Sequence, residues 1–455
     1  MIDWAERTVC ILISLGILAN ALMVRRIVQA WAFPAVIFSL AWFFYTIVPL
    51  VCFPEAHVYP TAMLYILGAS LAFSAGSFSN WRAAFETSAR VKARHEDYYS
   101  GNMLLIIFAV SAVLTILFLL LNSISQGISI GQLINNINDS AAEYAGRRYA
   151  YDIAPNFYQQ ASNILAYYCS AFGGIILLSH KNIYTRFAIV VGALFPSLFV
   201  MMSQSARGML FLCAAIFYAG IIIARFQQNI FSLLSRRALP ILIFGLLLVI
   251  PLVTASFIAR GVSSGAGQSL LDALAPYWAS YTSGHLFAFS DWFGNYTGQP
   301  SAQLYDDPGM TGGFYTFMSI FKLFGDDRPV PLGVYGEYLV IPPYIGTNIY
   351  TMFRGMIHDY GITGSLVFLT LLSYLFHRCY RAILISAMPT ISVSVFIFMI
   401  AFIYQSFIIS AFMWTTLMIG LFLVGITLYI FRLSIFSMMR NENSYILRQR
   451  IGSIS

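Results

Sequence analysis

Between Gly346 and Gly361 the chain reads Gly-Thr-Asn-Ile-Tyr-Thr-Met-Phe-Arg-Gly-Met-Ile-His-Asp-Tyr-Gly, placing Arg354, His358 and Asp359 directly before a long apolar run. On a helix, Tyr350, Arg354 and His358 stand four apart and share one face, while Asp359 lies about 140° from Arg354 at about 100° per residue. A phenol, a guanidinium and an imidazole on one wall suit a reaction with a phosphorylated leaving group. Guanidinium binds phosphate in a bidentate manner, and imidazole titrates near neutral pH, where it can take a proton from an attacking hydroxyl. Arg354 and His358 are therefore the candidate catalytic residues. Asp359 has two readings, to orient this group or to cap the following span at its N-terminus, where a carboxylate is favoured; capping is preferred.

Two further arginines invite the same chemistry. The turn Ser203-Gln204-Ser205-Ala206-Arg207-Gly208 joins two apolar runs with almost no room and sets Arg207 at a mouth of the bundle, and Arg260 closes the next run at a similar depth. Converging, Arg207, Arg260 and Arg354 would hold a diphosphate; singly, each also fits a helix end snorkelling to lipid phosphate. Arg147 and Arg148, near Asn135, Asn136, Asn138, Asp139, Glu143 and Asp152, suit an acidic sugar or a diphosphate, and equally a solvated loop face.

Tyr277, Trp278, Tyr281, Phe287, Phe289, Trp292, Phe293 and Tyr296 make one stretch strongly aromatic. Such rings stack on sugars and also collect at membrane interfaces. Tyr350, Trp278 and His285 join Arg147 and Arg148 as candidate glycan-binding residues, His285 being a weaker base candidate as well. The pairs Asp306-Asp307 and Asp326-Asp327 stand beside Pro and Gly as turn residues do, and the five cysteines have no metal-ligand spacing. Walker, dinucleotide, nucleophile-elbow and His-Glu-x-x-His motifs are absent from the sequence. No metal or other cofactor is expected.

The elements that position these groups follow from composition. Hydrophobic residues make up 59% of the 455 positions and charged residues 9%, against roughly 25% charged in soluble domains. The chain reads as an all-α polytopic membrane protein. About eleven runs are long enough to cross about 30 Å of hydrocarbon, near 8–24, 32–53, 60–79, 102–121, 160–178, 187–202, 209–224, 239–259, 361–376, 389–409 and 412–431. None of these runs contains Asp, Glu, Lys or Arg.

Basic residues fall in alternate loops, at Arg25 and Arg26, then Arg82, Arg90, Lys92 and Arg94, then Lys181 and Arg186. The alternation continues through Arg225, Arg236 and Arg237, through Arg378 and Arg381, and into a tail carrying Arg432, Arg440, Arg448 and Arg450. The positive-inside rule then gives an outside N-terminus and an inside C-terminus. The net charge of +7 is thus a topology signal rather than a sign of nucleic acid. Arg7, Arg147, Arg148, Arg207, Arg260, Lys322, Arg328 and Arg354 remain on the outer side and need a reason for being there.

The domain reading is a transmembrane bundle over 1–259 with an outer loop at 122–159, a large outer loop at 260–360, C-terminal spans over 361–432 and a cytoplasmic tail over 433–455. Within the large loop, Ser269 to Ala275 followed by Pro276, and Met318 to Phe324, read as short amphipathic helices lying at the interface.

The layout resembles the Wzy family of O-antigen and related oligosaccharide repeat-unit polymerases of the bacterial inner membrane. The resemblance rests on Ser205-Ala206-Arg207-Gly208 in a tight outer turn, on the large later loop, and on Asn348-Ile349-Tyr350-Thr351 running into His358-Asp359-Tyr360-Gly361 before a span. It covers most of the chain in layout but only some thirty residues in motif. It implies a multi-pass inner-membrane glycosyltransferase of the GT-C type, active on undecaprenyl-diphosphate-linked oligosaccharides at the periplasmic face without nucleotide sugar or metal. It also implies en bloc transfer of the growing glycan to the non-reducing end of an incoming lipid-linked unit, with a chain-length regulator as a partner. The sister ligases, which join finished glycan to another acceptor, share this architecture. A lipid-linked oligosaccharide flippase is the alternative from another class, and the charge-free spans count against it.

Overall fold

The computed structural model describes residues 4–79, 81–92, 99, 101–150, 152–153, 156–234, 239–258, 269–305, 309–328, 335–342 and 345–452. Among these residues the first eight helices are α1 (Trp4–Val28), α2 (Pro34–Cys52), α3 (Pro60–Ala75), α4 (Trp81–Lys92), α5 (Asn102–Ser125), α6 (Ile130–Asn135), α7 (Ile137–Tyr149) and α8 (Phe157–Leu177). Then come α9 (Ile183–Gln204), α10 (Arg207–Gln227), α11 (Leu239–Ile258), α12 (Leu270–Tyr296) and α13 (Met318–Leu323). An antiparallel hairpin of β1 (Leu339–Ile341) and β2 (Ile345–Thr347) precedes α14 (Thr351–Ile385), α15 (Ile391–Gln405) and α16 (Thr415–Gly452).

Each of the eleven apolar runs overlaps a helix among the described residues, the form in which a backbone satisfies its own hydrogen bonds. Among the described residues seven helices are long and apolar enough to cross a membrane: α1, α2, α5, α9, α10, α14 and Thr415–Ile435 of α16. The apolar helices α3 and α15 have 16 and 15 residues. At 1.5 Å per residue they span only about 22 to 24 Å. Ile106, Val110, Val113 and Leu117 of α5 are exposed at helical spacing, a face made for lipid. By contrast every residue of α8 from Ala166 to Ile176 is buried, because α5, α9, α10 and α16 pack around it.

The reading of the large loop needs correction. Ser269 to Ala275 is not an isolated interfacial helix but the opening of the 27-residue α12, with Pro276 inside it. Pro276 does not stop the helix because the preceding turn, Leu270 to Asp272, is exposed, so the carbonyl left without a partner faces the surface. The aromatic half of α12 is buried from Ser283 to Ser290 and again from Trp292 to Gly294, against α2, α3 and α14. The second short helix is present as α13. The tail stays helical to Gly452 as the end of α16.

The stretch that opened the argument forms the head of α14. The helix breaks at Gly361, whose φ of 69° and ψ of 178° fall in a region open essentially to glycine alone. A buried segment from Thr351 to Asp359 thus stands apart from the apolar helix that follows.

Candidate functional site

Thr351 begins the segment with φ of 64°, a strained value for a β-branched residue. Its Oγ1 accepts from the Phe353 N–H at 3.2 Å, and the Met352 N–H donates to the Ser406 carbonyl beyond α15 at 2.9 Å. The helix start is therefore fixed from two sides. Arg354 and His358 follow one turn apart, 1% and 3% exposed.

Arg354 sits in a cage of rings. Its guanidinium carbon lies 4.0 Å from the centroid of Tyr335, 4.3 Å from Tyr350, 5.3 Å from Tyr305 and 5.5 Å from Trp292. Desolvated contacts of this kind are worth about 2 kcal/mol or more at best. Nη2 donates to Glu337 Oε1 at 3.0 Å, and Nε makes a long contact of 3.5 Å to His358 Nε2. Guanidinium can only donate, so His358 presents the lone pair of Nε2 in this arrangement.

The cage walls are anchored in turn. Tyr350 receives Gln303 Nε2 at 2.7 Å and donates to the Glu337 carbonyl at 3.2 Å, while Tyr305 donates to Asp291 Oδ2 at 2.7 Å. Burial pushes the Tyr350 phenol up to about 12, and burial together with the hydrogen bond to Asp291 pushes Tyr305 up as well. Both rings stay neutral.

Asp359 does not cap the next span. It is buried late in the first helical segment, accepting from Thr311 Oγ1 at 2.5 Å and from the N–H groups of Tyr315 at 3.1 Å and Thr316 at 2.5 Å. Those bonds hold the 311–316 turn so that the Tyr315 ring lies 5.5 Å from the His358 ring, which the Trp292 ring also meets at 5.2 Å. The helical periodicity that turned Asp359 away from Arg354 is correct; what it faces is a distant segment rather than its own helix end.

Arg207 occupies a separate compartment. Ser205, with φ of 52°, ends α9, and Arg207 begins α10 as a buried residue. Its Nε and Nη2 donate to Ser256 Oγ and the Ser256 carbonyl at 2.9 and 2.8 Å, Nη1 reaches Tyr281 Oη at 3.5 Å, and its carbon lies 3.6 Å from the Phe257 centroid. Beside it opens a cavity of about 350 Å³ lined by Arg207, Tyr277, Tyr281, Tyr338 and Asn348 among others. Trp278 packs its ring 5.8 Å from Phe257, as part of the wall beneath Arg207.

The structure therefore joins Tyr350, Arg354 and His358 in one place, and Arg207 and Trp278 in another. Arg260, like Asp306 and Asp307, lies outside the described residues. Tyr350 is fully buried with its ring against Arg354, so it builds the cage instead of offering a face to a sugar. His285 is in the core of α12, with Nε2 donating to the Tyr45 carbonyl at 2.9 Å and its ring beside Tyr45 and Phe407, which removes it from the surface. Arg147 donates to the Gln126 carbonyl past the end of α5 at 2.7 Å, a helix-end tie. Arg148 neighbours it on α7, which packs on α9. Asp326 pairs with Arg328 at 2.5 Å across a two-residue turn, which lowers its acidity range below the usual carboxylate value, and Arg328 covers Phe314 at 3.7 Å.

Glu337, Tyr335 and Tyr305 were not singled out from the sequence. The available signal was charge: Glu337 is the lone acid between Asp327 and Asp359, set between Tyr335 and Tyr338. No protein-family model, curated protein or solved structure matches the chain, and what its own structure establishes is a polytopic helical membrane protein with seven candidate spans.

Proposed function

We propose that this protein is a membrane glycosyltransferase that polymerises undecaprenyl-diphosphate-linked oligosaccharide repeat units at the periplasmic face of the bacterial inner membrane. The observation that carries the reading is the Arg354–His358 pair, 3.5 Å apart in a water-poor cage of aromatic rings at the head of α14. The Arg207 cavity, lined also by Asn348 just before that head, supports it.

In this reading the hydroxyl at the non-reducing end of the incoming unit attacks the anomeric carbon of the growing glycan. The bond from that carbon to the lipid diphosphate breaks, and the diphosphate leaves with the bonding pair. His358 takes the hydroxyl proton on Nε2, exchanging its long contact with Arg354 for one to the acceptor. Arg354 and Arg207 meet the charge that develops on the leaving group, a use of preorganised cations that is worth most where water is excluded.

The test is the glycan ladder from cells whose own copy is replaced by variants. Arg354→Gln and Arg207→Gln should abolish long chains while a single repeat unit is still attached to its final acceptor. Normal ladders from both variants would refute the reading, and loss of all attachment would point to a ligase instead.

A further inference from the structure

The segment Tyr335 to Tyr338 runs between the two arginine compartments. Tyr335 and Glu337 face the cage, where they cover Arg354 at 4.0 Å and 3.0 Å, and Tyr338 lines the Arg207 cavity on the other side. Asn348 ties the two together, lining the cavity while its Nδ2 donates to the Tyr335 carbonyl at 3.5 Å. The segment leads into the β1–β2 hairpin, which is seated on α12: Ser280 Oγ donates to the Gly346 carbonyl at 2.6 Å, and Thr347 packs so near Gly284 that an added Cβ there would meet its methyl group at 2.8 Å.

We infer that Glu337 is a built-in occupant of an anion site, and that the segment carrying it is a gate which a substrate diphosphate opens by displacing the Glu337 carboxylate from Arg354. This deepens the proposed function and rests on it. Three features argue for exchange rather than permanent pairing. Glu337, which meets Arg354 Nη2 at 3.0 Å, is carried on an irregular segment outside any helix or strand. The Glu337 side chain is 22% exposed although Arg354 is 2% exposed, so the pair meets solvent from the carboxylate side. A carboxylate and a phosphoryl group present the same pair of oxygens to a guanidinium, so one can replace the other without remaking the cage.

Calorimetric titration of the full chain in detergent tests this, with inorganic pyrophosphate and farnesyl diphosphate as probes. Glu337→Gln keeps an acceptor near Arg354 but removes the competing charge, and should tighten pyrophosphate by about tenfold. Glu337→Asp should stay near wild type, and adding Arg354→Gln to Glu337→Gln should erase the gain. A larger gain for farnesyl diphosphate than for pyrophosphate assigns the site to a lipid headgroup; the reverse assigns it to free diphosphate, and either supports the exchange. Unchanged or weaker binding in a Glu337→Gln protein with wild-type thermal unfolding overturns it, as does a gain that survives loss of Arg354. If Arg354→Gln abolishes long glycan but Glu337→Gln gains no affinity, the gate alone fails; normal glycan from Arg354→Gln removes the function itself.

Discussion

Arg7 and Arg354 are both buried cations, 6% and 1% exposed, and their surroundings are opposite in kind. Arg7 gives Nη1 to the Ala56 carbonyl at 2.8 Å and Nη2 to the carbonyls of Phe53 at 2.6 Å, Pro49 at 3.4 Å and Leu50. Pro49 and Leu50 lie in the last turn of α2, Phe53 caps it and Ala56 follows, so Arg7 sits at a helix C-terminus, where a cation is favoured. Arg354 faces a carboxylate, an imidazole and four rings. Backbone carbonyls cannot leave Arg7 unless α2 unwinds, whereas side chains can turn away from Arg354. Burial of a charge thus marks either a rivet or a site, and the chemistry of its partners tells which.

The sharpest way to break this contrast is to remove both cations in turn. Arg354→Gln is expected to lose long glycan altogether, at a cost of about 2 kcal/mol from the lost ring contacts that leaves the protein folded and inserted. Arg7→Gln takes the guanidinium away from the four carbonyls it ties together and should cost about 3 to 5 kcal/mol of stability, with the protein that still folds making glycan of normal length. The contrast collapses if the two variants exchange these phenotypes. His358→Gln comes next: glycan turnover in reconstituted vesicles should fall by about 10² to 10⁴, the usual range for a general base, with pyrophosphate affinity unchanged. A parallel drop in affinity would make His358 part of the cage and not a base.

The pairing of Arg354 with His358 was legible because one helix repeats every 3.6 residues, and the same periodicity turned Asp359 the other way; Tyr350 lies before the helix start and reaches Arg354 through the break at Thr351 instead. The role of Asp359 was not legible, since its donors lie more than forty residues back, at Thr311, Tyr315 and Thr316. Asp359→Asn weakens those charge-assisted bonds and should cost about 1.5 to 3 kcal/mol, read as a lowered unfolding temperature, with a partial loss of turnover as Tyr315 loosens over His358. A variant with native stability and turnover would show that the 311–316 turn is held by other means. The smallest effect belongs to Arg147→Ala. Its tie to Gln126 is half exposed and its pairing with Glu143 is a surface contact at 3.7 Å, so stability should change by about 1 kcal/mol or less and glycan length not at all. Loss of glycan there would return Arg147 to the list of binding residues.

Sequence by itself determined the helical membrane class, since 59% hydrophobic residues in runs of span length leave the backbone no other way to satisfy itself in hydrocarbon. It also determined the pairing of Arg354 with His358 at the head of α14, because neighbours on one helix are fixed by spacing alone. Tertiary structure decided that Arg7 is tied to backbone carbonyls, that Arg354 sits in a cage of rings, and that Tyr335 and Glu337 contact Arg354 while Tyr338 lines the cavity beside Arg207. Those outcomes depend on contacts between segments far apart in the chain, such as Arg7 with the end of α2 and Arg354 with Glu337. Packing sets such meetings, and no local period records them.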